Sequence, residues 1–176
     1  TYDEMAAVTD APTYVVSNKS ELDTLIRAQN FHSELGIVID FGIIISRAVI
    51  NAFPKGIINS HFSLLPGLRG ADPISFAILS GQKKTGGSIM LIDDKMDEGP
   101  LLAVGEYELP AGITTPALTN GLINLSDSLL RKTLPKYLAG EISSSPQSEV
   151  ARTIGYSTEP SYTRKLTKVD GVLDWH

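Results

Sequence analysis

The sequence predicts an α/β fold: an open, mostly parallel sheet with helices on both faces and one antiparallel strand pair near Ser88–Leu109. Short apolar runs alternate with helical patterns along the chain. One of these runs is apolar without alternation, which is typical of a strand covered on both faces. The 176 residues include 42% hydrophobic and 20% charged residues, a composition that fits one globular domain with a sizeable core.

The first half of the chain is predicted to alternate between strands and helices. Residues 12–17 form a short β-branched run that predicts a strand, and a capping-box pattern that begins at Ser20 predicts the start of a helix. The run GIVIDFGIII, residues 36–45, predicts a central parallel strand. A short helix over 46–53 ends at a Pro-Lys-Gly turn, and a strand over 57–61 follows it.

The second half continues with helices around one strand pair. An Asp-Pro pair opens a predicted helix over 73–80, which a glycine closes. The predicted strands 88–93 and 101–109 are joined by a loop too short for a helical crossover, so we expect them to pair antiparallel. A long helix over 115–140 carries leucines every three or four residues, and Pro135 should kink it or split off its last turn.

Composition argues against several classes of protein. The net charge of −5 provides no overall positive field, so any contact with nucleic acid has to be local. The absence of cysteine excludes disulfides and thiolate metal sites. The longest apolar run is shorter than the roughly 20 residues that span a bilayer, and the first residues lack the features of a secretory signal. We therefore expect no membrane association and a cytoplasmic location.

Three polar residues, Asn59, His61 and Asp97, form the candidate reacting group. Asn59 and His61 are two residues apart on a strand, so their side chains share one face. Ligands of open α/β sheets lie outside the carboxyl ends of the strands, where we expect this pair to meet the loop that contains Asp97. An amide N–H stabilises an oxyanion and an imidazole moves protons near neutral pH, which suits acyl transfer to an amine. The carboxylate could orient the imidazole, stabilise its charged form or bind a proton-relaying water.

Other interpretations of these residues stay open at this point. Histidine and asparagine often end strands for structural reasons, and Asp97 could belong to an ordinary turn. A serine hydrolase that uses Ser63 and His61 is a weaker alternative, because the sequence contains no Gly-x-Ser-x-Gly motif. A metal site is weaker still, since the three histidines are widely separated. Arg69 either binds a substrate phosphate or braces its own loop.

A long motif resembles a known family. The segment NSHFSLLPGLRGADP, residues 59–73, is similar to the signature Asn-x-His-x-Ser-Leu-Leu-Pro-x-x-Arg-Gly-x-x-Pro of the 10-formyltetrahydrofolate-dependent formyltransferases. TGGSIM (85–90) and DDKMDEGPLL (93–102) look like the strand and the aspartate loop of the same family. Ser60 stands where that family usually has a branched apolar residue, and Leu68 where an aromatic residue is frequent. The resemblance implies the Rossmann-like formyltransferase fold and a formyl-transferring enzyme.

The resemblance also implies a role for each candidate residue. Asn59 would polarise the formyl oxygen, His61 would act as general acid or base, and Asp97 would position His61 and relay protons. The formyl donor would be 10-formyltetrahydrofolate, with no metal, and Arg69 and Gly70 are the predicted substrate-binding residues. The predicted cofactor-binding residues are Phe41, Gly42, Ile43, Ile44, Ile45, Ser63, Leu64, Leu65, Pro66, Asp93, Asp94, Lys95 and Met96.

The last part of the chain bears on the acceptor and on domain organisation. SYTRKLTKVDGVLDW (161–175) and LPKYLAGE (134–141) resemble segments of methionyl-tRNA formyltransferases, which implies initiator methionyl-tRNA as the acceptor in translation initiation. A sugar-nucleotide amine as acceptor, or a truncated folate-binding module without activity, are the alternatives. We predict a catalytic domain over 1–140 that lacks the family's first βαβ segment. Residues 141–176 would form a linker or tail leading toward an absent C-terminal domain.

Overall fold

The computed structural model describes residues 11–29 and 31–172. Its elements in chain order are α1 (Lys19–Gln29), β1 (Gly36–Ile39), α2 (Arg47–Ile50), β2 (Ile57–His61), β3 (Arg69–Gly70), α3 (Pro73–Leu79), β4 (Lys84–Leu91), β5 (Leu101–Glu108), α4 (Thr115–Leu138), α5 (Gln147–Thr153) and β6 (Tyr162–Thr163). A 3₁₀ turn at Lys168–Gly171 follows β6. The protein has the predicted α/β fold.

Four strands form the main sheet, in the order β1-β2-β4-β5. β1 runs parallel to β2, and the predicted antiparallel pair β4–β5 is confirmed. β4 also pairs antiparallel with β2. The segment between β2 and β4 therefore does not act as a crossover that would make the two strands parallel. The pairing of β4 with β2 begins at the carboxyl end of β2, where Ser88 is the partner of His61.

Helices cover both faces of this sheet, as predicted. Successive side chains of β2 point to opposite faces because a strand has a period of two. Ile57 lies in a buried cluster with residues of α1 and α2, whereas Ile58 lies in a second cluster with residues of β4 and α4. The polar residues that follow in β2 alternate between the same two faces.

β1 differs from the prediction of a central strand over residues 36–45. It has four residues and lies at the edge of the described sheet, and the side chains of Ile37 and Ile39 each remain 49% exposed. Asp40 has a φ of 47°, which ends the extended conformation. A continuous apolar run predicts a strand that is buried on both faces. Whether other segments pack against both faces depends on the rest of the chain and cannot be read from the run itself.

Three further local predictions concern the segment before α1, the start of α1 and the end of α4. Residues 12–17 do not form a strand, and α1 is confirmed but is capped by Asn18, whose Oδ1 accepts from the backbone N–H of Glu21 at 3.0 Å. α4 continues through Pro135, so its last turn is not split off. Tyr137 in that turn packs against the Ile58 cluster and donates a hydrogen bond to a backbone carbonyl at 2.9 Å. These contacts hold the last turn in place despite the proline.

Part of the segment predicted as a tail folds back onto the rest of the chain. β6 pairs in parallel with β3, and Ala151 of α5 is fully buried. Ser145 forms an antiparallel bridge with Leu101 of β5. The domain boundary at residue 140 stays a prediction. Hydrogen bonds of Gln147 with Arg69 and Asp97 hold α5 beside the loops that follow β2 and β4.

Candidate functional site

The candidate site begins at the carboxyl end of β2. Ser60 faces α4, where its Oγ lies 2.5 Å from the Oγ of Ser126, so Asn59 and His61 face the opposite side of the sheet. His61 is buried, whereas Asn59 is only half-buried. Among the residues that the structure describes, none forms a hydrogen bond with the side-chain amide of Asn59. This amide is therefore available to a ligand.

The imidazole of His61 lies between two oxygen acceptors. Its Nε2 lies 2.9 Å from the carbonyl oxygen of Leu68, and its Nδ1 lies 3.7 Å from Oδ2 of Asp97. The second distance is too long for a hydrogen bond but short enough for an electrostatic interaction. When Nε2 donates to the carbonyl, the neutral ring has its lone pair on Nδ1. A proton that reaches Nδ1 therefore faces a carboxylate.

Asp97 reaches His61 by a route that strand order alone does not predict. β4 runs antiparallel to β2, so its carboxyl end at Leu91 lies beside Ile58 rather than beside His61. The loop 92–100 then folds back toward the face that carries His61. His61 and Asp97 are brought together, and Asn59 lies two residues before His61 on the same face of β2. The expectation that all three residues meet at one edge of parallel strands does not explain the position of Asp97.

Both residues that face the His61 ring have an uncommon backbone conformation. Leu68 has a φ of 56° and Asp97 a φ of 53°, values that are unfavourable for residues with a side chain. Gly70 donates its backbone N–H to Oδ2 of Asp97 at 2.8 Å. Gly70 has a φ of 105°, and a Cβ there would lie 2.4 Å from the carbonyl oxygen of Thr163. Gly70 thus holds the carboxylate, and its contact with substrate stays a prediction.

Arg69 is buried and bound by several neighbours. Its Nη2 and Nε donate to Oε1 of Gln147 at 2.7 and 3.2 Å. Its Nη1 donates to the hydroxyl of Tyr162 at 3.0 Å and lies 3.5 Å from Oε1 of Glu98. These contacts fit the alternative in which Arg69 braces its loop, and the substrate-binding alternative stays a prediction.

Gln147 is a site residue that the sequence did not reveal. Its side chain is 5% exposed, and its Nε2 lies 2.8 Å from the carbonyl oxygens of both Asp97 and Gly99. It lies in a Ser-rich and Pro-rich segment predicted to be a linker. No local signal marks such a residue, because its partners are distant in the sequence.

The predicted cofactor-binding residues of the loop after β2 point mostly inward. Ser63, Leu65 and Pro66 are buried, and Leu65 belongs to one of the apolar clusters of the core. Ser63 donates from its Oγ to the carbonyl oxygen of Gly67 at 2.6 Å. Leu64 packs against a glycine of β4. These residues shape the loop, and their contact with a folate stays a prediction.

The other predicted cofactor-binding segments, 41–45 and 93–96, are largely exposed and are linked through Arg47, which follows the first segment by two residues. Arg47 joins them, since its Nε donates to Oδ1 of Asp94 at 2.7 Å and its Nη2 to Oδ1 of Asp93 at 3.0 Å. The large apolar side chains that these segments expose are Phe41, Ile44 and Met96. The contacts of Arg47 therefore tether the loop of 93–96 to the start of α2, directly after the other segment predicted to hold the pterin.

An Arg47→Gln variant should raise the pKa of Asp93. The pKa of this carboxyl lies below 3.8, first because the backbone N–H of Asp94 donates to it and then because the Arg47 guanidinium does. The variant keeps the hydrogen bond from the Asp94 N–H, so we expect the pKa of Asp93 to rise only part of the way toward its ordinary value. NMR titration of the Asp93 carboxyl carbon measures it.

The same variant should show a pH-dependent change in stability. A lowered pKa in the folded state stabilises the fold above the pKa of the unfolded state, and this contribution is lost as the pH falls through the folded value. The effect of Arg47→Gln should therefore be present at neutral pH and disappear in acid. Arg131→Gln, which breaks an exposed pair with Asp127 on α4, is the control and should leave Asp93 unchanged. An unaltered titration of Asp93 in the Arg47 variant would contradict the prediction.

Two further features of the described chain bear on its chemistry. Within residues 11–29 and 31–172, no helix is long and apolar enough to cross a membrane. The same ranges contain no group of three or more histidine, aspartate or glutamate side chains arranged to hold a metal ion.

Comparison with known proteins identifies relatives. A family model described as formyl transferase matches residues 5–134. The methionyl-tRNA formyltransferase of Chloroflexus aurantiacus is 41% identical over 142 residues, which are 81% of this chain and 43% of that protein. The methionyl-tRNA formyltransferase of Alkaliphilus oremlandii is 32% identical over 172 residues, 98% of this chain and 53% of that protein.

A solved structure shows the same fold. The formyltransferase PseJ from Anoxybacillus kamchatkensis, in complex with UDP-4,6-dideoxy-4-formamido-L-AltNAc and tetrahydrofolate, superposes with a TM-score of 0.65 at 21% identity. The match covers 88% of this chain and 72% of that one. The chain spans about half the length of the curated relatives it matches. The matched residues 5–134 include β2, with Asn59 and His61, and the loop with Asp97. The family match, the shared fold and the motif of residues 59–73 therefore point to the same family, and this chain belongs to the formyl transferase family.

Proposed function

We propose that this chain transfers a formyl group from 10-formyltetrahydrofolate to the amino group of initiator methionyl-tRNA, a reaction of translation initiation in the cytoplasm. The observation that carries the proposal is the available amide of Asn59, beside an imidazole that faces the carboxylate of Asp97. The choice of acceptor is supported by identities of 32 to 41% with methionyl-tRNA formyltransferases.

Asn59 would act on the oxygen of the formyl group. When an amine attacks the formyl carbon, the carbonyl oxygen gains negative charge in the tetrahedral intermediate. A side-chain N–H aimed at that oxygen stabilises the charge more than it stabilises the flat ground state. Because none of the described residues binds the Asn59 amide, it can make this bond without first breaking another.

His61 and Asp97 would move the protons. The new C–N bond forms to the acceptor amine, and the bond from the same carbon to N10 of the folate breaks. The attacking amine loses a proton and N10 gains one, so a group near both nitrogens is needed to transfer it. The imidazole can carry this proton, and the Asp97 carboxylate facing Nδ1 stabilises the ring while it does so.

The exposed apolar region around 41–45 and 93–96 would receive the pterin. A flat heterocycle binds well between apolar side chains and a few backbone hydrogen-bonding groups. Phe41, Ile44 and Met96 provide exposed apolar surface, at 39, 69 and 64% exposure. The loop that carries Met96 continues directly to Asp97, so a folate held there would lie close to the proposed reacting residues.

A sugar-nucleotide amine is the second candidate acceptor. It is favoured by the likeness in fold to PseJ, whose structure contains a formamido sugar nucleotide and tetrahydrofolate. The identity to that protein is 21%, lower than to the methionyl-tRNA formyltransferases. We therefore place the sugar nucleotide second.

A formyl-transfer assay with two acceptors tests the proposal. The protein is incubated with 10-formyltetrahydrofolate labelled in the formyl group, and with either methionyl-tRNA or a UDP-linked amino sugar. We expect label in methionyl-tRNA and release of tetrahydrofolate in equal amount. Deacylated tRNA, which lacks the methionyl amine, is the control and should remain unlabelled.

Two other results would replace this assignment. Label found only in the sugar nucleotide would make that amine the acceptor. Calorimetric binding of the folate without label in either product would support a folate-binding module that has no activity.

A further inference from the structure

One buried amide side chain connects the loop of Asp97 to the loop that follows β2. Gln147 is the first residue of α5. Its Nε2 donates to the carbonyl oxygens of Asp97 and Gly99, both at 2.8 Å, and its Oε1 accepts twice from Arg69. The two donors and both lone pairs of the amide are therefore used. A buried amide whose donors and acceptors are all occupied is fixed in one orientation, and it restricts the movement of the groups bound to it.

The chemistry of the partners determines that orientation. Carbonyl oxygens only accept hydrogen bonds and a guanidinium only donates them, so the nitrogen must face the carbonyls and the oxygen must face Arg69. A glutamate in place of Gln147 would keep the contact with Arg69. It would also place an oxygen against the two carbonyls, where it repels them.

The loop that Gln147 holds needs support. Asp97 has a left-handed backbone, and its carboxylate must meet both the N–H of Gly70 and the ring of His61. Gly99 is pressed so closely against β4 that an added Cβ would overlap the carbonyl oxygen of Leu91. Strained segments of this kind persist only where surrounding contacts hold them. Gln147 binds the carbonyls of the two positions, Asp97 and Gly99, where the loop is most constrained.

We propose that Gln147 is a positioning residue that holds Asp97, and through Asp97 the His61 ring, in place for the reaction. The inference rests on the proposed function. Gln147 supports Asp97 by two routes: it binds the Asp97 carbonyl directly, and it binds Arg69, whose neighbour Gly70 donates to the Asp97 carboxylate. A residue outside the predicted catalytic domain of residues 1–140 thus completes the arrangement of the site.

The test is a Gln147→Glu variant with Glu149→Gln as its matched control. Glu149 is exposed on the same helix, and its change is the reverse amide-carboxylate exchange. Gln147→Glu should lower kcat roughly tenfold or more, because the buried carbonyls lose their donors, while the KM for the folate changes little. Glu149→Gln should match the unmodified protein. Combined with Asp97→Asn, the Gln147 change should cost little further, because its effect acts through Asp97.

Hydrogen exchange provides a readout that does not depend on activity. The Gly70 amide is protected by its bond to Asp97, so Gln147→Glu should speed its exchange roughly tenfold or more, while amides of the β4–β5 ladder stay protected. If Gln147→Glu does not fold, Gln147→Met is used instead. Methionine has a side chain of similar length without the N–H donors, and it should speed the hydrogen exchange of the Gly70 amide in the same way.

The outcomes separate the two proposals. A loss in kcat that is equally large in the Asp97→Asn background, with unchanged Gly70 exchange, would overturn the positioning role. Faster Gly70 exchange in a protein that transfers formyl to neither acceptor would overturn the proposed function and leave the positioning of Asp97 by Gln147 supported.

Discussion

An Asn59→Ala variant is expected to lose about a hundredfold to a thousandfold in turnover, which is the usual effect of removing one oxyanion-stabilising donor. The loss should appear in kcat rather than in binding of the folate, because the proposed hydrogen bond strengthens as the tetrahedral intermediate forms. The fold should tolerate the change. The Asn59 amide makes no hydrogen bond within the described chain, so its removal leaves no protein group without a partner.

Single-turnover formyl transfer at saturating folate measures this effect. Asn120→Ala is the matched control, because Asn120 is exposed on α4 and the same atoms are removed. The control should have normal turnover and an unchanged unfolding midpoint. Near-normal turnover in Asn59→Ala would remove Asn59 from the proposed mechanism.

An Ile58→Ala variant is expected to lower the free energy of unfolding by about 2–5 kcal/mol. Ile58 has no exposed surface, and it packs with Ile89 of β4 and Leu130 of α4 between the sheet and the long helix. Truncation leaves a cavity that a strand held by neighbours on both sides cannot close. Because domains are stable by only about 5–15 kcal/mol in total, the loss should be easily visible.

Urea unfolding followed by circular dichroism measures the loss. Ile123→Ala on α4 is the control, since the Ile123 side chain is 48% exposed and should cost less than about 1 kcal/mol. Equal losses in the two variants would show that Ile58 is not part of the stabilising core. Asn59 and His61 follow Ile58 in β2, so the residual activity of folded Ile58→Ala also tests how far the site depends on this packing.

Local sequence patterns correctly predicted the elements that are determined by residues close together in the chain. Asp72 caps α3 through its Oδ1, with Pro73 at the start of the helix. α4 begins at Thr115 as predicted, and Leu118 and Leu122 are buried at the predicted spacing of four residues. These features could be predicted because a cap and a helical face are determined by residues three or four positions apart.

Pairing partners and burial could not be predicted in the same way. The apolar run of β1 forms a short edge strand, and β4 returns antiparallel to β2. The last turn of α4 stays helical after Pro135 because Tyr137 is held by the core. Each of these outcomes depends on contacts between segments that are distant in the sequence, and such contacts outweigh local preference.

The sequence by itself determined which side chains are candidates for the reaction: an amide, an imidazole and a carboxylate. The two-residue spacing of Asn59 and His61 also placed both on one face of β2. Only the tertiary structure decided how Asp97 reaches His61, because the antiparallel β4 ends at the far end of β2 and its loop must fold back. Only the structure revealed Gln147 as the support of that loop. Strand alternation is a local property of the chain, whereas a hydrogen bond between distant loops leaves no periodic pattern.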